Sequence, residues 1–243
     1  MKSVIDFSLI LPVYNEEECI ESTVREAYAV MNRLPGDFEM LAVDDGSDDG
    51  SGAILKGLAA ELDKLRVIRL APNSGQSAAL GAGIKNNRGK IIITMDADGQ
   101  NDPADIPRLI EGLKDYDMCC GYRMARKDSF PKSIGSRLAN WVRNRVLNEG
   151  IIDTGCTLKA FKAGVVPDVV TLRGMHRFLP ALARMEGAKI TQIPVRHRPR
   201  KAGRSKYTNI GRLRETVWDL WAVRWMQKRK RHFKVEVEDE NHK

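Results

Sequence analysis

The chain has 243 residues, of which 42% are apolar and 30% are charged, so it can bury the core of one large domain and is too apolar for a disordered chain. Lysine and arginine number 40 against 32 aspartates and glutamates, an excess that favours an anionic partner such as a phosphate, an anionic lipid or a nucleic acid. No signal-peptide pattern and no membrane-spanning apolar run are visible. We expect Cys19, Cys119, Cys120 and Cys156 to be reduced thiols in the cytoplasm.

Strand-like and helix-like segments alternate through the first half of the chain. Strands are predicted at Phe7–Pro12, Phe38–Val43, Val67–Leu70 and Lys90–Met95. Helices are predicted between them, from Asn15 to about Arg33, up to about Leu62 and up to Lys85. This alternation is typical of an α/β fold with a doubly wound, mostly parallel sheet.

The second half of the chain is less regular. It predicts helices at Pro103–Leu113, Pro131–Leu147 and Asn209–Lys230, strands at Met118–Gly121 and Ile190–Val195, and a polar tail at Val235–Lys243.

Three polar turns follow three of the predicted strands. They are Pro12–Glu16, Asp44–Ser47 and Asp96–Gln100. Because the carboxyl ends of parallel strands lie at one edge of a sheet, we expect these side chains to share one crevice, where ligands bind in open α/β sheets. The carboxylates Asp96 and Asp98 suit Mg²⁺ or Mn²⁺, which would neutralise a nucleotide diphosphate. An acidic surface turn is the alternative for this pair alone.

These turns resemble the signature of family 2 glycosyltransferases with the GT-A nucleotide-sugar fold. The extended segment Asp98-Gly99-Gln100-Asn101-Asp102-Pro103 resembles the polyprenyl-phosphate branch, which includes dolichyl-phosphate mannose synthase. Four later segments agree with it: Gly121-Tyr122-Arg123, Asp153–Cys156, His176-Arg177-Phe178 and Arg200–Lys206. The resemblance runs from about Phe7 to Tyr207 and implies a glycosyltransferase domain at residues 1–207. The residue pattern beyond it predicts an interfacial helix at 208–232 and a polar tail at 233–243.

The resemblance also implies roles for individual residues. Asp98 and Gln100 would hold the metal ion. Asp98, Arg123 and Arg200 would be catalytic, with Arg123 steadying a loop over the donor. The donor would contact Pro12, Tyr14, Glu16, Val43, Asp45, Asp96, Ala97, Arg123, Arg177 and Lys206. The acceptor phosphate would contact Lys132, Ser136, Arg137 and Arg200.

The implied reaction is transfer of a sugar from a UDP- or GDP-linked donor to a polyprenyl phosphate, such as an undecaprenyl or dolichyl phosphate, with inversion. A lipid monophosphate is already largely dianionic at neutral pH and needs no general base. Transfer to a hydroxyl group of a protein or a saccharide is the alternative, and Asp153 is then the candidate base. A nucleic-acid-binding module would use the same positive charge, but acidic strand ends would repel a polyanion and no nucleic-acid motif is present.

The predicted C-terminal helix carries a tryptophan stripe. Trp218, Trp221 and Trp225 recur at helical spacing, and basic residues surround them: Arg212, Arg214, Arg224, Lys228, Arg229, Lys230 and Arg231. Indole rings and basic side chains both favour an anionic membrane surface. We therefore expect an amphipathic helix that holds the protein peripherally on the cytoplasmic face of a membrane. The alternative is that the tryptophans pack on the core of the protein.

Overall fold

The computed structural model describes residues 5–124, 140–167, 171–199 and 209–231, with side chains described from residue 217 onwards in the last range. Five predicted site residues lie outside these ranges: Lys132, Ser136, Arg137, Arg200 and Lys206. Most of the predicted helix at Pro131–Leu147 and the polar tail also lie outside them.

Seven strands form one sheet in the described part of the chain. In chain order they are β1 Phe7–Val13, β2 Phe38–Asp44, β3 Leu65–Arg69, β4 Ile91–Thr94, β5 Met118–Arg123, β6 Lys159–Lys162 and β7 Ile190–Val195. The helices are α1 Ile20–Met31, α2 Ser51–Glu61, α3 Gln76–Asn86, α4 Ile106–Glu111, α5 at residues 140–147, α6 Leu179–Met185 and α7 Asn209–Arg229. Two 3₁₀ helices, Pro103–Asp105 and Met175–Phe178, precede α4 and α6.

The strand order is β3-β2-β1-β4-β6-β5-β7. All neighbours pair in parallel except β6, which runs antiparallel to both β4 and β5. The predicted doubly wound, mostly parallel sheet is therefore confirmed. The sequence patterns gave no sign of β6, whose segment Lys159-Ala160-Phe161-Lys162 begins and ends with lysine.

Two apolar cores cover the two faces of the sheet. The side chains of β1 alternate between them, with Leu9 and Leu11 in the first core and Ile10 in the second. Helices α1, α2 and α4 supply the first core, while α3 and α6 supply the second. All four cysteines are buried, and none of them forms a disulfide bond. Burial on both faces explains the nearly continuous apolar runs of β1 and β2.

Two predicted helices begin later than expected. Helix α1 begins at Ile20 rather than near Asn15, because Asn15 has a φ of 54°. The backbone N–H groups of Asn15 and Glu16 also bond to side chains after β2. Ser47 Oγ accepts from Asn15 N at 3.0 Å, and Ser51 Oγ accepts from Glu16 N at 2.8 Å. The predicted helix at Pro103 starts as a 3₁₀ turn and becomes α4 only at Ile106.

The C-terminal helix forms as predicted, but a single amphipathic face is not confirmed. Leu220 and Val223 are buried in the second core, with exposures of 8% and 0%. Trp218, Trp221 and Trp225 lie on the opposite side and are 61–69% exposed. Leu220 therefore packs into the second core and does not add to the tryptophan surface. Within the described residues, no helix has the length and apolarity needed to span a membrane.

Candidate active site

The three polar turns meet at one edge of the sheet. Strand β1 lies between β2 and β4 and runs parallel to both, so their carboxyl ends stand side by side. Asp45 N donates to Val13 O at 2.8 Å, and this bond joins the first two turns. The predicted clustering of the three turns is confirmed.

Asp45 shapes the loop that leads into α3. Its carboxylate accepts hydrogen bonds from Asn73 Nδ2 at 3.0 Å, Ser74 N at 2.8 Å and Gly75 N at 2.8 Å. The side chain is only 3% exposed. These bonds show how Asp45 builds the wall of the crevice, whereas its direct contact with a donor stays a prediction.

Asp96 is a carboxylate with an altered proton affinity. Gln76 Nε2 donates to Asp96 Oδ1 at 2.9 Å, and Asp96 N donates to Asn101 Oδ1 at 3.1 Å. Burial, with a smaller contribution from the charge of Asp98, raises the pKa of Asp96 to about 6. The raised pKa favours the protonated form of this carboxyl group, which can donate as well as accept a hydrogen bond.

Asp98 and Gln100 form an open pair of candidate metal ligands. Asp98 Oδ1 accepts the backbone N–H of Gln100 at 3.1 Å, and Gln100 Nε2 lies 3.4 Å from His197 Nε2. Among the described residues, no three His, Cys, Asp or Glu side chains are grouped as a metal cage. This sparse set of ligands fits Mg²⁺ or Mn²⁺ bound together with substrate phosphates, because such sites use only one or two carboxylates.

The sequence gave no role to His197, which lies directly after β7. The segment from Arg196 to Arg198 is held against the turn after β4: Arg198 N donates to Gln100 O at 2.8 Å, and Arg198 Nη2 donates to Asp102 Oδ1 at 3.0 Å. An isolated bridge pairs Asn101 with His197. The only signal in the sequence was a histidine between two arginines at the end of a predicted strand.

Arg123 and Asp153 form a bidentate ion pair. Arg123 Nε donates to Asp153 Oδ2 at 2.6 Å and Arg123 Nη2 donates to Asp153 Oδ1 at 2.9 Å. Both side chains are 13% exposed. Both oxygens of the carboxylate that was the candidate base for a hydroxyl acceptor are therefore engaged by an arginine.

The remaining predicted donor residues have different surroundings. Val43 and Ala97 are buried in the two cores, and their contact with a donor stays a prediction. Pro12, Tyr14 and Glu16 are partly buried at the end of β1. Arg177 is partly buried in the 3₁₀ helix before α6.

A small cavity lies beside Asp96. Its polar lining includes Gln76, Asp96, Lys159 and His176, and Pro12 also contributes. Sequence reasoning assigned no role to Gln76, Lys159 or His176. Their neighbours in the cavity come from α3, β4 and β6, which are brought together only by the fold.

The mostly parallel sheet, its helices and its strand order match the GT-A fold of solved structures. The model of the family "Glycosyl transferase family 2" matches residues 8–169. The fold agrees with glucosyl-3-phosphoglycerate synthase from Mycobacterium tuberculosis, solved with Mn²⁺, uridine diphosphate and phosphoglyceric acid. That likeness has a TM-score of 0.62 at 17% identity and covers 94% of this chain and 80% of that one.

Two relatives are more similar to this chain in sequence than that solved structure is. The chain is 36% identical to a dodecaprenyl-phosphate galacturonate synthase of Rhizobium johnstonii, over 93% of this chain and 68% of the relative. It is 38% identical to an undecaprenyl-phosphate 4-deoxy-4-formamido-L-arabinose transferase of Pseudomonas fluorescens, over 88% of this chain and 63% of the relative. The chain belongs to glycosyl transferase family 2, and it spans about two thirds of the length of these relatives.

Proposed function

We propose that this protein transfers a sugar from a nucleotide-sugar to a polyprenyl phosphate and inverts the anomeric configuration. The observation that carries the proposal is the shared crevice, where Asp96 and Asp98 lie beside the turns after β1 and β2. Relatives whose names describe polyprenyl-phosphate sugar transferases match 88–93% of the chain, which supports the choice of acceptor.

The donor would bind across the carboxyl ends of β1, β2 and β4. In this arrangement Pro12, Tyr14 and Glu16 contact the base and ribose, Asp45 fixes the pocket wall, and Asp96 contacts the nucleoside. Lys206 and Arg177 complete the donor contacts in the proposal. The choice between UDP and GDP stays open, because the described residues do not distinguish the two bases.

Asp98 and Gln100 would hold a divalent ion, Mg²⁺ or Mn²⁺, against the donor diphosphate, and His197 is close enough to Gln100 to join them. When bound, such an ion offsets the charge that develops on the departing nucleotide diphosphate. The chain itself contributes the orientation of these ligands: Arg198 ties the segment with His197 to Gln100 and Asp102.

The state of Asp153 favours a phosphate acceptor over a hydroxyl acceptor. An alcohol needs a base to remove its proton, and Arg123 occupies both oxygens of Asp153. A phosphate monoester needs no such base because it is already dianionic at neutral pH. Lys132, Ser136, Arg137 and Arg200 are the proposed acceptor-phosphate ligands, with Arg200 acting on both substrates.

The proposed acceptor resides in a bilayer, and α7 offers a surface for one. Its three exposed tryptophans lie on the side away from Leu220 and Val223, which argues against the alternative that they form core. Lys228, Arg229 and Arg231 are exposed near them. We propose peripheral attachment through this helix at the cytoplasmic face, as a unit distinct in role from residues 1–207.

A donor screen tests the proposed function. Purified protein with Mg²⁺ or Mn²⁺ would be incubated with UDP- or GDP-sugars and undecaprenyl phosphate, with undecaprenol as the matched acceptor without a phosphate. We expect glycosylated lipid phosphate with inverted configuration, and no product from undecaprenol. Product from the alcohol but not from the phosphate would favour the hydroxyl-acceptor alternative and refute the proposal.

A further inference from the structure

Arg123 and Asp153 lie at the same edge of the sheet as the candidate metal ligands. Arg123 ends β5, and Asp153 shortly precedes β6. Because β6 runs antiparallel to both β4 and β5, the carboxyl ends of β4 and β5 lie at one edge, with the start of β6 between them. The ion pair is therefore built on the far side of β4 from β1, beside the turn that carries Asp98.

The ion pair holds the guanidinium group in one direction. Arg123 Nε and Nη2 donate to the two oxygens of Asp153 at 2.6 and 2.9 Å, and Arg123 N donates to Asp153 Oδ2 at 3.3 Å. Two parallel bonds specify the plane of a guanidinium group, which a single bond would not do. The side-chain bonds to Asp153 use Nε and Nη2, so the Nη1 group lies outside the pair.

Amide side chains from α5 and β7 hold the loop that leads into the ion pair. Asn144 Nδ2 donates to Ile151 O at 2.9 Å, and Asn144 Oδ1 accepts from Ile151 N at 3.1 Å. Asn140 Nδ2 donates to Ile152 O at 2.8 Å, and Gln192 Oε1 accepts from Ile152 N at 2.8 Å. The backbone immediately before the ion pair is therefore anchored on two separate elements of the fold.

Resting on the function proposed above, we propose that Asp153 is a positioning residue that holds Arg123 in the orientation in which it binds the diphosphate of the donor. The amide side chains of α5 and β7 fix Asp153 in turn. This role differs from that of a base, because Asp153 acts through Arg123 and does not take a proton. Its contribution depends on direction, since a charged donor stabilises the departing phosphate only where it is aimed at it.

Charge alone predicts the opposite effect for Asp153. A carboxylate that pairs with Arg123 offsets part of the positive charge that attracts a diphosphate. Removing this carboxylate should strengthen nucleotide binding if charge were decisive, and should weaken binding if the orientation of Arg123 is decisive. The direction of the change therefore separates the two effects.

The isosteric change Asp153→Asn tests the inference. Binding of UDP and of GDP to the full chain with Mn²⁺ would be measured by calorimetry, and transfer from nucleotide-sugars to undecaprenyl phosphate would be measured in parallel. We expect the nucleotide affinity to fall by about 10-fold and kcat/KM for the donor by about 10- to 100-fold, the range for a misplaced group.

A second variant loosens the loop without touching the ion pair. Asn144→Leu removes both bonds to Ile151 and should lower nucleotide affinity and kcat/KM in the same direction, by about 2- to 10-fold. Urea unfolding of each variant monitors the fold. If Asp153→Asn did not fold, Asn144→Leu would decide by the same signs.

A double-mutant cycle assigns the effect to Arg123. In an Arg123→Met background, Asp153→Asn should change nucleotide affinity and kcat/KM by less than about twofold, because the group that it positions is gone. Asp117→Asn is the matched control, since Asp117 pairs with Lys162 at 2.9 Å beside the start of β5. This control should keep the native nucleotide affinity and kinetics.

The outcomes separate this inference from the proposed function. Unchanged or tighter nucleotide binding by Asp153→Asn, or an equal loss with and without Arg123, would overturn the positioning role. Loss of transfer with native nucleotide affinity, independent of Arg123, would mark Asp153 as a base instead. Native protein that binds a nucleotide with Mn²⁺ but transfers no sugar to the lipid phosphate would refute the proposed function, while the binding measurements would still decide the role of Asp153.

Discussion

Asp98 lies in the turn after β4, where its carboxylate already accepts the backbone N–H of Gln100 at 3.1 Å. If this side chain holds the ion that neutralises the donor diphosphate, Asp98→Ala should reduce kcat/KM by about 100-fold or more, since a metal ion supplies several kcal/mol of charge stabilisation. Glu18→Gln, an exposed carboxylate before α1, is the control and should retain activity. Full activity of the native protein in excess EDTA would contradict the assignment.

The burial of Asp96 predicts a pH dependence of the free energy of unfolding. Its folded-state pKa of about 6 lies above the ordinary 3.8, so the folded chain holds a proton that the unfolded chain releases between these values. The stability that this proton contributes is complete below the ordinary pKa and is lost as pH rises towards 6. Asp96→Asn should therefore raise the free energy of unfolding at neutral pH, by up to about 3 kcal/mol.

The matched measurement for Asp96 is urea unfolding of native and variant protein at neutral pH and at about pH 4. The gain should shrink at the lower pH, where the native side chain is protonated when folded. Activity should fall even as stability rises, because Asn cannot replace the carboxylate. A gain over the native protein that is no larger at neutral pH than at about pH 4 would show that burial does not control this group.

Buried charge also joins helix α5 to the loop that follows it. Arg143 Nε lies 3.1 Å from Glu149 Oε1, and their side chains are 8% and 0% exposed. Burial lowers the pKa of Arg143 and raises the pKa of Glu149. Neither atom of the pair makes a well-aligned hydrogen bond, so desolvation of the two charges is poorly offset.

The Arg143–Glu149 pair predicts that removing one of the two charges destabilises the protein more than removing both. Glu149→Gln alone should destabilise by about 3–5 kcal/mol, because it leaves a buried guanidinium without a counter-charge. The double change Arg143→Met with Glu149→Leu should unfold in urea at nearly the native midpoint or above it. If the double variant were as unstable as the single variant, the pair would contribute net stability through its geometry.

The strands were predictable where a local pattern sufficed. Continuous apolar runs identify β1, β2 and β4 because those strands are buried on both faces, and the bounds of β7 at Ile190–Val195 match the prediction. The sequence did not predict β6, because its two lysines are unusual in a central strand, where Lys159 is buried. Its antiparallel pairing with β4 and β5 depends on contacts across long stretches of chain.

Some residues of the candidate site were predictable from local sequence, and others were not. Asp96, Asp98 and Gln100 could be found because they directly follow an apolar run, so local sequence and topology place them together. His197 and Lys159 could not, since 97 residues separate Gln100 from His197 and Lys159 enters the cavity only through a strand that sequence reasoning missed. The predicted start of α1 was wrong for a related reason, because Ser47 and Ser51 hold the turn that precedes the helix.

At the scale of the whole molecule, the two sides of α7 have different surroundings. Leu220 and Val223 attach the helix to the second core, and Lys230 Nζ pairs with Glu186 at 2.7 Å. The helix is therefore part of the folded body, and its tryptophans extend outwards from a fixed support. Arg229 lies over the ring of Trp225, 6.0 Å from its centroid, so positive charge and an indole share one surface.

That surface predicts salt-sensitive membrane attachment. The native protein should sediment with vesicles that contain anionic lipid more than with zwitterionic ones, because each basic residue near an anionic surface contributes about 1 kcal/mol. High salt should weaken attachment without abolishing it, since the indoles supply an apolar component.

Changing Trp218, Trp221 and Trp225 together to Ser should remove that component and leave the fold intact, because all three are exposed. Trp141→Ser, at a tryptophan outside α7 that is 64% exposed, is the control for loss of an exposed ring. The triple variant should also lose more activity on long-chain polyprenyl phosphate than on a short soluble analogue. Sedimentation of the triple variant equal to that of the native protein would show that α7 is not the anchor.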